Sequence, residues 1–373
     1  MAAAADLFYR IGYPEVGMRH VAEAVNVRPS ALYRHFSGKP ELLTTVIIEE
    51  MGPFKQIFTE LSGAPLEKVL RRLASAILDG HRLGALWQQE ARHLPTEEYA
   101  QVRREVRDLV LRLSRLIRAQ RPDLGRRDTW MLALFLGSVF SSISYRTAEL
   151  PHPEYKRVLR AIFRQVLKTT PVKPYPPPEP PPAGFTPSSR RERLLTSALE
   201  LFAEYGYASV SMEDIGVRAG IVGPSTYHHF ESKQHLLLAA FTRGDEWLRY
   251  DMHRALARAT DHTGALRELM ASYVDFATRH SDHVSIMYTK SRYLPEEHSA
   301  RIKQSQREYI SEWLNLMPQV HTSMSLAEAK IRVHAVLTIV NDLARTPGLR
   351  DRREAKETAK HVGQALLLPE AES

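Results

Sequence analysis

Val27 to Leu43 reads VRPSALYRHFSGKPELL, and 194 positions further on Ile221 to Leu237 reads IVGPSTYHHFESKQHLL. The two stretches align without a gap. Tyr33, His35, Phe36, Lys39, Leu42 and Leu43 in the first answer to Tyr227, His229, Phe230, Lys233, Leu236 and Leu237 in the second. One such string is a weak signal. Two, each following a similar pair of short helical patterns, make a duplicated unit the reading that organises the chain.

Working back from the first stretch, residues 4–13 form a short helical pattern with Leu7, Phe8 and Ile11 on one face and Gly12 as its stop. The second copy spans residues 198–207 and stops at Gly206. Residues 16–25 follow as a second helix with Met18, Val21, Ala22 and Val25 at core spacing, matched by residues 210–219. Ser211 can cap that helix through its hydroxyl, whereas Gly17 at the same position has no side-chain oxygen. A third helix is expected to begin at Pro29 and at Pro224, because proline suits a first helical turn. Leu32, Tyr33 and Phe36 are expected to plug into the first two helices, which leaves Arg28, Ser30, Ala31, Arg34 and His35 outward. This describes a helix-turn-helix unit whose third helix fits a major groove roughly 12 Å wide.

These residues resemble the TetR family of bacterial transcriptional regulators. The resemblance rests on Leu7-Phe8 to Gly12-Tyr13 and Leu201-Phe202 to Gly206-Tyr207, on the two Tyr-x-His-Phe strings, and on Lys39 and Lys233 opening a fourth helix. It covers about 45 residues in each copy. It implies an all-α chain of two tandem TetR-like units, each a three-helix DNA-binding domain followed by a helical ligand and dimerisation domain, joined by a Pro-rich linker. The expected boundaries are 1–45 and 46–168 for the first copy, 169–189 for the linker, and 190–240 and 241–368 for the second copy.

The resemblance also assigns contacts to double-stranded DNA. Tyr33, His35 and Lys39, and Tyr227, His229 and Lys233, stand where family members reach phosphates; the lysines also open a helix, where amides and ammonium can grip one phosphate together. Base reading falls to the residues opening helix three. Arg28 matches guanine O6 and N7, a contact worth roughly 1–3 kcal/mol of discrimination, with simple phosphate contact as its alternative. Pro29, Ser30 and Arg34 complete the first set; Gly223, Ser225 and His228, with Ser211, complete the second. Val222 to Ser225 offer only contact with a thymine methyl or a single acceptor, so the two heads are expected to read different half-sites. Arg190, Arg191 and Arg193 are expected to form a basic arm ahead of the second copy's first helix, along the backbone or in the minor groove. The first copy opens at Met1 directly in its helix without such an arm, which implies a start placed too late or a weaker head.

The repeat continues downstream. Arg92-His93-Leu94-Pro95 is answered by Arg292-Tyr293-Leu294-Pro295, now 200 positions apart, and each ends one helix and opens a long one, 96–121 and 296–316. Amphipathic helices are expected over 125–149, 153–168, 326–345 and 352–368. Apolar faces such as Leu132, Phe135, Leu136, Val139 and Phe140, and Val333, Val336, Leu337 and Val340, have the bulk to pair as the family's dimers do, here as an intrachain pseudo-dimer, with further homo-oligomerisation open. Fusion raises the effective concentration of such a pair to roughly millimolar. The stretch 169–189, TTPVKPYPPPEPPPAGFTPSS, forbids helix and favours polyproline II at ~3.1 Å per residue, a spacer.

Family members bind a small-molecule effector among their C-terminal helices. The matching candidates are His81, Trp87, Glu90, Ser138, Ser141 and Tyr145 in the first copy, and His280, His283 and Tyr288 in the second. Core packing is the alternative for the Trp and serines. His280 and His283 also have the i, i+3 spacing of a metal pair, against which stands a helix end meeting solvent.

The bulk numbers agree with this picture. The chain has 373 residues, 43% hydrophobic and 25% charged, with a formal charge of +8 and a pI near 9.5, which favours a polyanionic partner, nucleic acid before membrane. Zero cysteines exclude disulfides, thiolate metal sites and cysteine nucleophiles. No apolar run approaches the ~20 residues of a membrane span. Ala2 to Ala5 lack a basic leader and break at Asp6, so they are not a signal peptide, and a cytoplasmic protein is expected. No Gly-rich phosphate loop, GxSxG or HExxH is present, so neither enzyme activity nor a cofactor is expected. The function expected is a DNA-binding regulator, a repressor on an asymmetric or imperfectly palindromic operator, relieved by an effector. The alternative is a helical protein-interaction scaffold in which one or both heads no longer bind DNA.

Overall fold

The computed structural model describes residues 1–61, 63–145, 148–173, 189–221, 223–287 and 293–369. All regular structure among them is helical. None of these helices is long and apolar enough to cross a membrane. The chain divides into two compact units, Met1–Thr169 with Lys330–Ile339, and Thr170–Ala329 with Val340–Ser373.

In the first unit, α1 (Ala2–Arg10), α2 (Met18–Ala24) and α3 (Pro29–Leu32) form the head and lead into α4 (Lys39–Glu50). α5 (Gly52–Glu60), α6 (Leu66–Asp79) and the single turn α7 (Leu83–Ala85) follow, then a π-helical turn Leu86–Glu90, a 3-10 turn Ala91–His93, α8 (Thr96–Gln120), α9 (Arg126–Ser142) and α10 (His152–Lys168). α1 ends because Gly12 adopts φ 98°, a conformation that a side chain disfavours. Ile11 and Val25, expected in the core, are instead exposed. Each is the cap residue just past its helix, where the helical periodicity that placed it inward no longer applies. Phe8, Met18, Val21, Leu42, Leu43 and Ile47 pack with Leu86, Ala91, Leu94 and Val102, so head and body share one core. The helix expected over 125–149 ends at Ser142 and passes into a 3-10 turn, Ile143–Tyr145. Within this unit Arg332 Nη1 donates to Gln165 Oε1 at 2.8 Å.

The second copy repeats the order with α11 (Arg190–Tyr205), α12 (Met212–Arg218), a 3-10 turn Gly223–Thr226, α13 (Lys233–Arg258), α14 (His262–Arg279), α15 (Ser281–Met287), α16 (Glu296–Val320), α17 (Leu326–Arg345), of which Lys330–Ile339 belong to the first unit, and α18 (Arg353–Leu367). Gly206, with φ 79°, is the stop after α11. Here the three arginines 190, 191 and 193 are not an arm ahead of the helix. They occupy its first turn, because Arg-Arg-Glu-Arg is a helix-forming run, Glu192 complements the positive N-terminal dipole, and Leu194 and Leu195 behind it are buried. The expected polyproline segment lies outside the described residues from 174 to 188; just before it, Val172 N donates to Thr358 Oγ1 at 2.9 Å.

Helix caps separate the copies. Ser211, Ser232 and Ser325 each accept a hydrogen bond from the amide three residues on, at 3.1, 3.2 and 3.2 Å. The N-caps at the matching positions of the first copy are Gly17, Gly38 and Gly125. Two of these are served from the other side, with Gly17 N donating to His20 Nδ1 at 3.1 Å and Gly125 N to Asp128 Oδ2 at 3.2 Å.

Candidate nucleic-acid interface and effector cavity

Both heads are built on one lysine. Lys39 Nζ donates to the carbonyls of Tyr13 and Pro14 at 2.8 and 3.4 Å and lies 4.2 Å from the Tyr13 ring centroid. Lys233 Nζ does the same with Tyr207 O at 2.9 Å, Val210 O at 2.7 Å and the Tyr207 ring at 4.3 Å. Burial pulls both ammoniums below the ordinary lysine range. Each lysine thus pins the α1–α2 or α11–α12 turn to the start of the following long helix. An ammonium has three donors, so one N–H remains for an outside acceptor.

The turn before each lysine carries the outward groups. Arg28, Pro29, Ser30, Arg34 and His35 are all exposed. Tyr33, expected to plug into the head, is 56% exposed because α3 ends at Leu32 and leaves Tyr33 on its C-cap; Leu32 and Phe36 alone pack inward. In the second head Tyr227 is 48% exposed beside exposed His228 and His229, while Phe230 is buried. Ser225 is half-buried, and Tyr227 Oη donates to Glu213 Oε1 at 3.4 Å. Gly223 opens the 3-10 turn that stands where a reading helix was expected. Gly216, which the sequence did not single out, permits this turn: a Cβ there would lie 2.6 Å from Ile221 O and 3.0 Å from Thr226 Oγ1. A glycine inside a helical pattern was the available signal. Ser211 serves the cap, its hydroxyl also donating to Asp214 Oδ2 at 2.7 Å. Arg190 and Arg191 are exposed on α11, but the Arg191 guanidinium lies 4.9 Å over the Phe230 ring. Arg193 is half-buried.

In the body of the first unit a cavity of about 110 Å³ lies among α5, α6, α8 and α9, walled by Met51, Phe58, Leu73, Leu109, Leu113 and Phe140 among others. Of the sequence candidates, His81, Trp87 and Ser141 line it. Glu90, Ser138 and Tyr145 do not reach it. Ser138 Oγ donates to Leu134 O at 3.2 Å, and Tyr145 Oη to Gln88 Oε1 at 2.7 Å. Glu90, 1% exposed, accepts the Tyr13 amide at 2.7 Å. The π-helical turn therefore carries Trp87 on the cavity and Glu90 on the same tyrosine that Lys39 pins. π-turns widen the helical register by one residue and are frequent at functional sites.

In the second unit His280 and His283 pack against the Trp247 ring at 4.6 and 5.1 Å, and edge to face with one another at 5.8 Å. Burial, reinforced by neighbouring positive charge, lowers both, His283 to about 4. This is a packed ring cluster rather than the solvent-facing helix end weighed from sequence. Among the described residues no group of three or more His, Asp or Glu is placed to hold a metal. Tyr288 lies outside the described residues.

Residues 1–46 and 194–240 each match the family described as "Bacterial regulatory proteins, tetR family", and residues 259–345 match "Tetracyclin repressor-like, C-terminal domain". The chain is 32% identical over 114 residues to the transcriptional activator FasR of Mycolicibacterium smegmatis, covering 31% of this chain and 52% of that one. It is 28% identical over 187 residues to the transcriptional repressor KstR2 of Mycobacterium tuberculosis, covering 48% of this chain and 90% of that one. The chain spans about half the length of FasR and of the KstR2 of Mycolicibacterium smegmatis. Among solved structures, AibR in complex with isovaleryl coenzyme A and operator DNA aligns at 20% identity and TM-score 0.43, over 48% of this chain and 100% of that one.

Proposed function

Because the chain belongs to the TetR family of bacterial regulatory proteins, with the family's DNA-binding domain present twice, we propose that it is a transcriptional regulator that grips one operator with both of its own heads. The observation that carries this reading is the repeated lysine anchor beneath an exposed Tyr and His in each copy. Tyr33, His35, Tyr227 and His229 contact phosphates, joined by the third N–H of Lys39 and Lys233, and these contacts position the protein without reading sequence. Arg28 with Arg34 reads bases in the first half-site; Ser225 and His228 face the second, with Arg190 and Arg191 approaching the backbone from α11. Since Arg28 has no counterpart in the second head, the operator is asymmetric.

The two halves act as an intrachain pseudo-dimer. Grouping of Lys330–Ile339 with the first compact unit supports that arrangement. The cavity takes a small effector, neutral and mainly apolar, oriented by His81 and Ser141. Two routes run from it to the head: Met51, which caps the C-terminal end of α4, and the π-turn from Trp87 to Glu90 and the Tyr13 amide. An effector that favours one setting of these elements shifts the head spacing away from the ~34 Å half-site separation and releases DNA. Electrophoretic shifts with the DNA upstream of the gene test the proposal. Sequence-selective, salt-sensitive retardation is expected, and its absence rejects it.

The single 3-10 turn of the second head favours a second reading, in which that head has lost its DNA role. Replacing Tyr227 and His229 by Ala separates the two: an idle head leaves operator affinity unchanged.

A further inference from the structure

The bodies of the two copies share one register, 200 positions apart. Buried Leu66, Val69, Leu70, Leu73, Ala74 and Ile77 of α6 correspond to buried Leu266, Leu269, Met270, Tyr273, Val274 and Ala277 of α14. α8 and α16 are both 25 residues long and begin at positions 96 and 296. In this register the cavity-wall leucines 73, 109 and 113 become Tyr273, Tyr309 and Trp313.

Those three rings pack on one another. Their centroids are 5.9 Å apart for Tyr273 and Tyr309, 6.1 Å for Tyr273 and Trp313, and 6.3 Å for Tyr309 and Trp313. Trp313 is wholly buried. Asn341, which stands where Ser141 stands in the first copy, accepts a hydrogen bond from Tyr273 Oη at 2.8 Å and fixes that ring. Gly80 and Leu83 of the wall become His280 and His283, both packed on Trp247. Ile77, Trp87 and Phe140 become the smaller Ala277, Met287 and Val340, so bulk is exchanged among the wall positions rather than only added.

We propose that the chain takes a single effector molecule: the cavity of the first unit is the binding site, and the matching space of the second is plugged by Tyr273, Tyr309 and Trp313. This rests on the reading of the first cavity as an effector site. The second body is then a structural partner that follows the first, and effector response is hyperbolic, with one equivalent per chain.

Benzene is a suitable probe, because apolar cavities on the order of 150 Å³ take it without a polar anchor. Calorimetric titration of the full chain is expected to show one equivalent. Leu113→Trp, which carries the plug into the first unit, is expected to weaken binding more than tenfold. Tyr309→Leu with Trp313→Leu is expected to add a second equivalent, circular dichroism confirming that each variant is folded. Two equivalents on the unmodified chain would mean that the second unit still has room for a molecule beside Tyr273, Tyr309 and Trp313, and would overturn the inference. So would one equivalent that survives Leu113→Trp. No uptake by the unmodified chain removes the cavity reading itself, and the inference with it.

Discussion

Arg28 and Lys39 divide the labour of a head between them. The Arg28 side chain is exposed and makes no ion pair among the described residues, whereas Lys39 is held by two carbonyls and a ring. Arg28→Ala is therefore expected to relax base preference in one half-site by roughly 1–3 kcal/mol and leave the other untouched, read by competition with operators altered in one half at a time. Lys39→Met is expected to act on folding as well as on the proposed phosphate contact. It strips a charged donor from two carbonyls, a loss of about 1–3 kcal/mol in urea unfolding of the first unit. His283 gives a pH signature. Burial, with His280 and Arg243 nearby, lowers its pKa from 6.5 to about 4. Below pH 6.5 the unfolded chain binds a proton that the folded unit refuses until about pH 4, so stability falls as pH drops through that window, by about 2 kcal/mol at pH 5. His334 titrates in the same sense. His283→Gln should remove the first contribution alone, seen as a flatter plot of unfolding midpoint against pH.

Among the elements, α17 occupies the expected 326–345, and α8 and α10 begin or end within a residue of their expected limits. Those helices carry long apolar stripes between strong stops, which is why their extents were legible. The N-terminal growth of α11 was not, because arginine and glutamate add nothing to an apolar stripe while still favouring helix. Nor was the π-turn, since five residues are too few for periodicity to tell it from α-helix. That turn explains the mixed outcome at the cavity: Trp87 reaches the wall, while Glu90, three residues on, faces Tyr13. Lys39 and Lys233 were legible as repeated residues, but their carbonyl partners lie across the fold and have no local signal. The caps predict a graded response. Ser211→Ala is expected to cost about 1 kcal/mol and Ser211→Gly a few tenths, and Gly17→Ser to gain about a few tenths. Thermal unfolding of each variant checks the order. Room exists for the last, since a Cβ on Gly17 meets only His20 Nδ1 at 4.0 Å.

For the whole molecule, the proposed pairing sets a mass. One chain of 42.5 kDa should fill one operator, so light scattering of the protein–DNA complex is expected to give one polypeptide per duplex, and two would reject the intrachain arrangement. The twin lysine anchors reach further than either head. Each fixes the frame of its head from behind, by contacts with carbonyls of residues 13, 14, 207 and 210, none of which is among the proposed base-reading residues. The lettering in front can change without disturbing the mount, and divergence between the copies has used that freedom. The reading edges should accordingly be exchangeable parts: moving residues 222–229 into positions 28–35 is expected to turn the operator into a repeat of its second half-site, with unfolding of the first unit little altered.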